Sequence, residues 1–308
     1  MITIIITSYN EPKATKQAVN AFLQQQIPKP YKIFVIDPFP EVQAYLRSAF
    51  KKNKEVECIL DQGEGKSYAL NMILSKYFSE EKDSFFIFSD GDVYVSPNAV
   101  REILEKFKDS RIGCVTGKPV SLNPRSEKYG YFAKVAFDGI DKVRKKLSKA
   151  NSFFECSGYL FAVRNGVITE FPIDASEDAI IPFLFWQKGY KIAYAEKAEV
   201  YVTNPKNRRD YVAQKVRNIK GHEKLDHYFK LPQAPRRTKS FWNEIKEGFF
   251  FALGYPKSVQ EFWWTIQLYA FRLYIYYQAF KDLKVSRKEY SDGWREVEIE
   301  STKPFDRS

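Results

Sequence analysis

Hydrophobic positions in the first 115 residues fall into runs of strand length separated by segments with helical spacing. ITIIIT (2–7), YKIFVID (31–37), EVECIL (55–60), SFFIFSD (84–90) and IGCVTGKPV (112–120) are rich in β-branched and aromatic residues and predict strands. Helical spacing is found in EPKATKQAVNAFLQQQ (11–26), near 41–52, over 66–78 and in SPNAVREILEKF (96–107). The last of these opens with Ser96 as its predicted cap and Pro97 in its first turn. Apolar strand runs alternating with helices predict a mainly parallel sheet covered on both faces.

Beyond residue 130 the pattern changes. KVRKKLSK (142–149) reads as the solvated basic face of a helix, with anionic lipid or substrate as the alternative contact. SFFECSGYLFAVR (152–164) predicts a strand, and residues 174–202 predict an acidic turn, a helix and a strand. Organisation follows from these shifts: a domain over 1–222 in two halves (1–115 and 116–222), then a basic linker at 223–240. An aromatic helical extension is expected at 241–285 and a charged tail at 286–308.

At 308 residues the chain is long enough to bury a full core. A net charge of +11 favours anionic partners. The cysteines, Cys58, Cys114 and Cys156, lack Cys-x-x-Cys spacing, which argues against a zinc site or a disulfide framework and suits a reducing cytoplasm. The N-terminus lacks the basic start of a signal peptide, and no run of 18 uncharged apolar residues is present.

In parallel sheets, ligands bind beyond the carboxyl ends of the strands. Here those ends carry Thr7, Tyr9 and Glu11, then Asp37, a glycine loop, and Asp90-Gly91-Asp92. The loop in ILDQGEGKSYALNMIL (59–74) superficially matches a phosphate loop ending at Lys66-Ser67. The Gly-x-x-x-x-Gly-Lys spacing requires glycine at 60, where the chain has Leu60, and Asp61 and Glu64 would repel a triphosphate. Asp90 and Asp92, two residues apart after a buried strand, can share a divalent cation held on a diphosphate.

In this order the motifs resemble family 2 glycosyltransferases, which have the GT-A fold, over residues 2 to about 222. IIITSYNEP, IFVIDP, GKSYALN, the Asp-x-Asp pair, FFECSGYLFAVR, Ser176-Glu177-Asp178 and QKVRN (214–218) carry the resemblance. It implies an α/β, Rossmann-like mixed sheet, mainly parallel, with helices on both faces. It also implies that Thr7, Tyr9, Glu11, Asp37, Lys66, Asp90 and Arg217 bind a nucleotide sugar. Asp92 and Asp90 would hold Mn²⁺ or Mg²⁺, with His222 as a candidate further ligand. Asp178 would be the catalytic base; Cys156, Gly158, Glu177 and Gln214 would line the acceptor. The family's acidic residue after Asp37 is replaced by Pro38, and the tryptophan of its Gln-x-x-Arg-Trp motif by Asn218.

The implied reaction moves a sugar from a nucleoside-diphosphate sugar to a hydroxyl of a saccharide or lipid-linked acceptor by single displacement with inversion. The donor is taken as a UDP-sugar, with a GDP-sugar as the alternative. A carboxylate of ordinary pKa, about 4, is ionised at neutral pH and can serve as the base. Two other classes stay open on the residues alone: a nucleotidyltransferase or P-loop-like NTPase, and a non-catalytic module binding nucleic acid or membrane through its charge. The preferred reading has no nucleic-acid partner.

Fifteen of the forty residues 241–280 are aromatic, and Arg272 is the only charge between Glu261 and Lys281. A helix apolar nearly all round packs in protein or meets lipid. A central arginine disfavours crossing a bilayer, whereas Trp and Tyr flanked by Lys257, Lys281 and Lys284 suit its interface. The extension is therefore expected to pack on the domain or on another subunit, or to make peripheral contact at the cytoplasmic face of a membrane.

Overall fold

A computed structural model of the chain describes residues 1–228, 240–285 and Thr302. In chain order its elements are β1 (Ile2–Thr7), α1 (Pro12–Leu23), β2 (Tyr31–Asp37), α2 (Pro40–Ala49), β3 (Val56–Leu60), α3 (Lys66–Lys76), β4 (Phe85–Asp90) and β5 (Tyr94–Val95). They continue with α4 (Ala99–Lys106), β6 (Ile112–Ser121), α5 (Lys128–Lys149), β7 (Leu160–Arg164), α6 (Glu177–Gln187), β8 (Lys191–Val202), α7 (Arg208–Glu223), α8 (Phe241–Leu253) and α9 (Val259–Phe280). Most of the expected basic linker at 223–240, and the charged tail at 286–308 apart from Thr302, lie outside the described residues.

The strands form one mixed sheet in the order β3-β2-β1-β4-β7-β6-β8-β5. β1 lies between β2 and β4, all parallel, with Thr7 level with Ile36 and Asp90. This register brings the polar ends of three strands to one edge. β7 runs antiparallel between β4 and β6, and β6 pairs with β8 in parallel. The expected mainly parallel mixed sheet is observed, with the two-residue β5 as an addition.

Strand alternation divides the core. Ile4, Ile6, Ile33, Val35 and Ile87 face one layer, which α1, α2 and α4 cover. Ile5, Phe34, Ile36, Phe86 and Phe88 face the other, which α3 and α6 cover. Both faces of these strands are therefore dry, which is why their sequences read as unbroken apolar runs. A third cluster joins α5, α7, α8 and α9 around Tyr131, Phe132, Tyr211, Leu268 and Ile275.

Two local expectations change. α4 starts at Ala99 with Asn98 in the cap position, while Ser96 Oγ instead accepts the Glu199 N–H at 3.2 Å. Ser96 thus fastens β5 to β8 rather than capping the helix. The expected strand at 152–164 is a strand only over Leu160–Arg164. Its first half is buried but irregular, because its backbone groups are satisfied outside any ladder: the Ser157 N–H donates to Thr116 Oγ1, and the Cys156 N–H to the Asp178 carbonyl.

The basic run at 142–149 is also more than a solvated face. Arg144 is buried and donates to the carbonyls of Glu155 and Cys156 at 3.1 and 2.7 Å. Lys145 pairs with Asp141 and Glu196, and Lys146 with Glu247 of α8. Cys58, Cys114 and Cys156 are buried and form no disulfide with one another.

α9 turns one side inward. Thr265 is fully buried against the Tyr131 hydroxyl at 2.6 Å, and Arg272 grips Glu244 of α8 with two guanidinium nitrogens. Arg125 holds the start of the helix through a forked pair with Glu261 at 2.7 and 2.8 Å. Thr265 and Arg272 are thus inward-facing, internally paired groups. On the other side Val259, Trp263, Ile266, Leu273, Tyr277 and Phe280 are exposed, as are Trp242 and Phe250 of α8.

Candidate active site

The carboxyl-end edge of the sheet opens on a cavity of about 1170 Å³. Thr7, Tyr9 and Glu11 line it from the loop after β1, and Lys66 from the start of α3. Asp90 and Asp92 enter from the end of β4, and Glu177 and Asp178 from the start of α6. Gly158 lines it ahead of β7, and Gln214, Arg217 and His222 line it from α7. Twelve of the residues expected at the site therefore share one cavity.

Local chemistry explains the strand-end geometry. Gly91 stands where a Cβ would come within 2.8 Å of Thr15 Oγ1 and 3.0 Å of Ser8 Cβ. Only glycine lets the end of β4 approach the β1 loop this closely, so Asp90 and Asp92 are presented together on its two sides. Gly65 precedes α3 with φ of 121°, a left-handed value that glycine tolerates, and this turn delivers Lys66.

Lys66 is the electrostatic centre of the site. Its Nζ lies 2.6 Å from Asp90 Oδ1 and 2.6 Å from Glu177 Oε1. Burial alone would depress the ammonium pKa, but the charges of Asp90 and Glu177 outweigh it and hold the group above its ordinary value. Thr7 Oγ1 also reaches Asp90 Oδ1, at 3.4 Å. The phosphate-loop resemblance ends here, with the lysine spanning two carboxylates on different elements.

Asp178 has both oxygens oriented. Oδ1 accepts from Ser176 Oγ at 2.6 Å and Oδ2 from the Gly158 N–H at 3.3 Å. Its backbone carbonyl accepts from Cys156, so the start of α6 and the segment before β7 form one unit. Tyr159 also lines the cavity; burial and the nearby charges of Asp90 and Asp92 push its phenol well above the ordinary range.

Two expected residues stand behind the wall. Asp37 is fully buried and outside the cavity lining; Oδ1 accepts from the Phe39 N–H at 2.8 Å and Oδ2 from the Asn10 N–H at 3.1 Å. Burial pushes its carboxyl above the ordinary value, only partly offset by those bonds. Asn10 has φ of 54°, and the Asp37 contact fastens this left-handed turn, which carries Tyr9 and Glu11. Cys156 is likewise fully buried and does not line the cavity. It contributes backbone groups, one to Asp178 and one to Arg144.

Ser176 and Arg144 are the residues that sequence reasoning passed over. Ser176 was visible only as the first letter of Ser176-Glu177-Asp178. Arg144 carried a signal: with Phe137, Ile140 and Leu147 it recurs at three- and four-residue spacing on one helix side. An arginine on an apolar stripe is a buried donor looking for carbonyls.

This sheet order with a strand-end cavity is a GT-A glycosyltransferase architecture. The mannosyltransferase PcManGT of Pyrobaculum calidifontis, solved with GDP-Man and Mn²⁺, superposes with a TM-score of 0.59 at 15% identity, covering 92% of this chain and 81% of that one. Staphylococcus aureus TarS 1-349 gives a TM-score of 0.50 at 13% identity, covering 92% and 75%. At such identities these likenesses establish the fold alone.

The family model described as glycosyl transferase family 2 matches residues 3–171, more than half of the chain. The chain belongs to that family, which removes the P-loop NTPase alternative. A poly-β-1,6-N-acetyl-D-glucosamine synthase of Staphylococcus epidermidis is 23% identical over 253 residues. That alignment covers 80% of this chain and 57% of the synthase, so the chain spans little more than half the length of this relative.

Proposed function

We propose that the protein transfers a sugar from a nucleoside-diphosphate sugar to an acceptor hydroxyl, by metal-dependent single displacement with inversion. One observation carries the reading: Lys66 from the start of α3 and Asp90 and Asp92 from the end of β4 share a cavity with Asp178 from the start of α6. Donor-side positive charge and acidic metal ligands thus open on the same space as a carboxylate held by Ser176 and Gly158.

Among the described residues no three Asp, Glu, His or Cys side chains form a ready metal cage. Two carboxylates beside a diphosphate site still fit Mg²⁺ or Mn²⁺, which take one or two protein carboxylates and complete their shell with phosphate oxygens and water. Asp92 and Asp90 would hold the ion, with His222, buried on α7, as a further candidate. When bound, it would act as a Lewis acid on the leaving diphosphate.

The chain's own groups account for the rest. Thr7, Tyr9 and Glu11 receive the nucleoside, with Asp37 fixing their loop from behind. Lys66 and Arg217 add positive charge for the diphosphate. Asp178 takes the proton of the attacking hydroxyl, with Ser176 and Gly158 keeping its carboxylate in place. Glu177, Gln214 and Gly158 line the acceptor side, and Cys156 supports it through its backbone.

The donor we favour is UDP-N-acetylglucosamine, because the relative from S. epidermidis is named for a polymer of that sugar. A saccharide or lipid-linked molecule accepts it. Among the described residues no helix is long and apolar enough to cross a membrane. The exposed stripe of Trp263, Leu273, Tyr277 and Phe280, flanked by exposed Lys257, Lys281 and Lys284, supports peripheral contact at the cytoplasmic face.

A thermal-shift panel of UDP-, GDP- and dTDP-sugars with and without Mn²⁺ tests the reading. Ligand at a hundred times Kd should stabilise the fold by about 2.7 kcal/mol. Stabilisation by UDP-N-acetylglucosamine only in the presence of Mn²⁺ is expected. If no nucleotide sugar stabilises the protein, the reading is wrong.

A further inference from the structure

The cavity does not end at the catalytic residues. From Asp178 its lining continues along α5 and α8, through Gly139, Ile140, Val143, Ile245, Gly248 and Phe251. Its volume of about 1170 Å³ exceeds the roughly 300–1,000 Å³ of an ordinary small-molecule pocket, so it has room beyond a nucleotide sugar. Ile245, Phe249 and Leu273 belong to the lining and are also exposed, so the cleft reaches the outer apolar side of α8 and α9.

Several polar groups on this far wall are already engaged with one another. Lys146 pairs with Glu247 and Arg272 with Glu244, and the Tyr269 hydroxyl donates to the Phe249 carbonyl at 2.6 Å. A sugar chain needs hydrogen-bonding groups along its path, whereas a hydrocarbon chain needs apolar walls and a route to lipid. At Gly248 nothing lies within 4 Å of where a Cβ would stand, so the wall of α8 is open there.

We propose that this cleft between α5 and α8 holds the hydrocarbon chain of an amphiphilic acceptor whose hydroxyl head reaches Asp178. The acceptor class is therefore lipid-linked. The inference rests on the glycosyltransferase reading for the role of the head group, but the cleft's preference for a hydrocarbon chain can be measured without any donor. The chain's outer end emerges beside the exposed aromatic side of α8 and α9, where a membrane would supply it.

The test uses hexyl and dodecyl β-N-acetylglucosaminides below their micelle-forming concentrations, with chitotetraose as the saccharide probe. Each fully buried methylene strengthens binding by about fourfold, so the dodecyl compound should bind at least about tenfold more tightly than the hexyl one. Gly248→Trp, which projects into open space, should reduce that preference to less than about threefold. A diazirine at the end of the dodecyl chain should label residues 139–147 or 241–252, and labelling does not depend on that variant folding.

Equal affinity for both chain lengths overturns the proposal. So does labelling confined to Trp263, Tyr277 and Phe280, or binding of chitotetraose tighter than that of the dodecyl compound. Thr302 is buried and also lines the cavity; dodecyl binding that requires removal of residues 286–308 would assign the cleft to the chain's own tail instead. A nucleotide-sugar thermal shift on the same preparation separates the two readings. No shift with labelling retained removes the transferase and keeps the cleft; a shift without chain-length preference removes the cleft alone.

Discussion

Lys66 and Glu177 form an ion pair of 2.6 Å between the start of α3 and the start of α6. The same ammonium holds Asp90 at 2.6 Å, so one cation ties the start of α3, the acidic end of β4 and the start of α6 together. The side chains are mostly buried, which makes removal of the cation costly: two carboxylates would be left facing each other across a poorly solvated gap. The contact also means that Lys66, which we propose meets the nucleotide, is already engaged in the free protein.

Lys66→Met should therefore lose nucleotide-sugar stabilisation and also lower the melting temperature of the free protein. A double-mutant cycle with Glu177→Gln should show coupling of about 0.5–3 kcal/mol, read from denaturant unfolding. Additive effects would mean that the pair contributes nothing to the link between the two halves.

Asp178→Asn should keep the thermal shift with nucleotide sugar and lose roughly 10²- to 10⁴-fold in transfer, the usual range for a positioned base. Ser176→Ala removes the hydroxyl that donates to Oδ1 at 2.6 Å but leaves the carboxylate. It should cost less, with the loss in kcat rather than in donor affinity. Transfer retained in Asp178→Asn would eliminate this residue as the base.

The first half of the sheet was legible in the sequence because its signals are local. Ile4, Ile5, Ile6, Phe86, Ile87 and Phe88 read as strands since both sheet faces are dry, and the polar residues following them land at one edge by parallel register. Residues 152–157 were misread for the complementary reason. Phe153, Phe154 and Cys156 are as apolar as a strand and equally buried, but their segment is held by Arg144, Thr116 and Asp178 from elsewhere in the chain. Asp37 was identified by its strand end, yet which way a strand-end carboxylate turns depends on a neighbouring loop, here Asn10. Composition likewise placed an aromatic extension at 241–285, but not its division into a packed side and an exposed one, which Thr265 and Arg272 decide through partners on α5 and α8.

Arg144→Met tests the hold on that irregular segment. The substitution leaves the carbonyls of Glu155 and Cys156 without their donor, at a cost of about 1–3 kcal/mol for each buried group left unsatisfied. Because Cys156 in turn donates to the Asp178 carbonyl, the loss should reach the Asp178 carboxylate, the proposed base. Lower kcat with donor affinity retained is expected, together with a lower denaturation midpoint. Unchanged kcat in a destabilised variant would confine Arg144 to stability.

The final prediction concerns pH and the extension. The hydrogen bonds from Arg125 hold the Glu261 carboxyl at about 2, below its ordinary 4.5, and thereby fasten the start of α9. A carboxyl whose pKa is depressed by folding stabilises the fold fully above its unfolded value and loses that contribution as protons bind. The contribution should thus be intact at neutral pH and decline as pH falls from about 4.5 towards about 2. Trp263 and Trp264 lie two and three residues after Glu261 on α9 and supply the readout. Their fluorescence should change over that window in the native protein, before or with global unfolding. In Glu261→Gln, which cannot titrate, the same change should already be present at neutral pH and stay flat on acidification. An identical acid transition in both proteins would show that this pair does not fasten the helix.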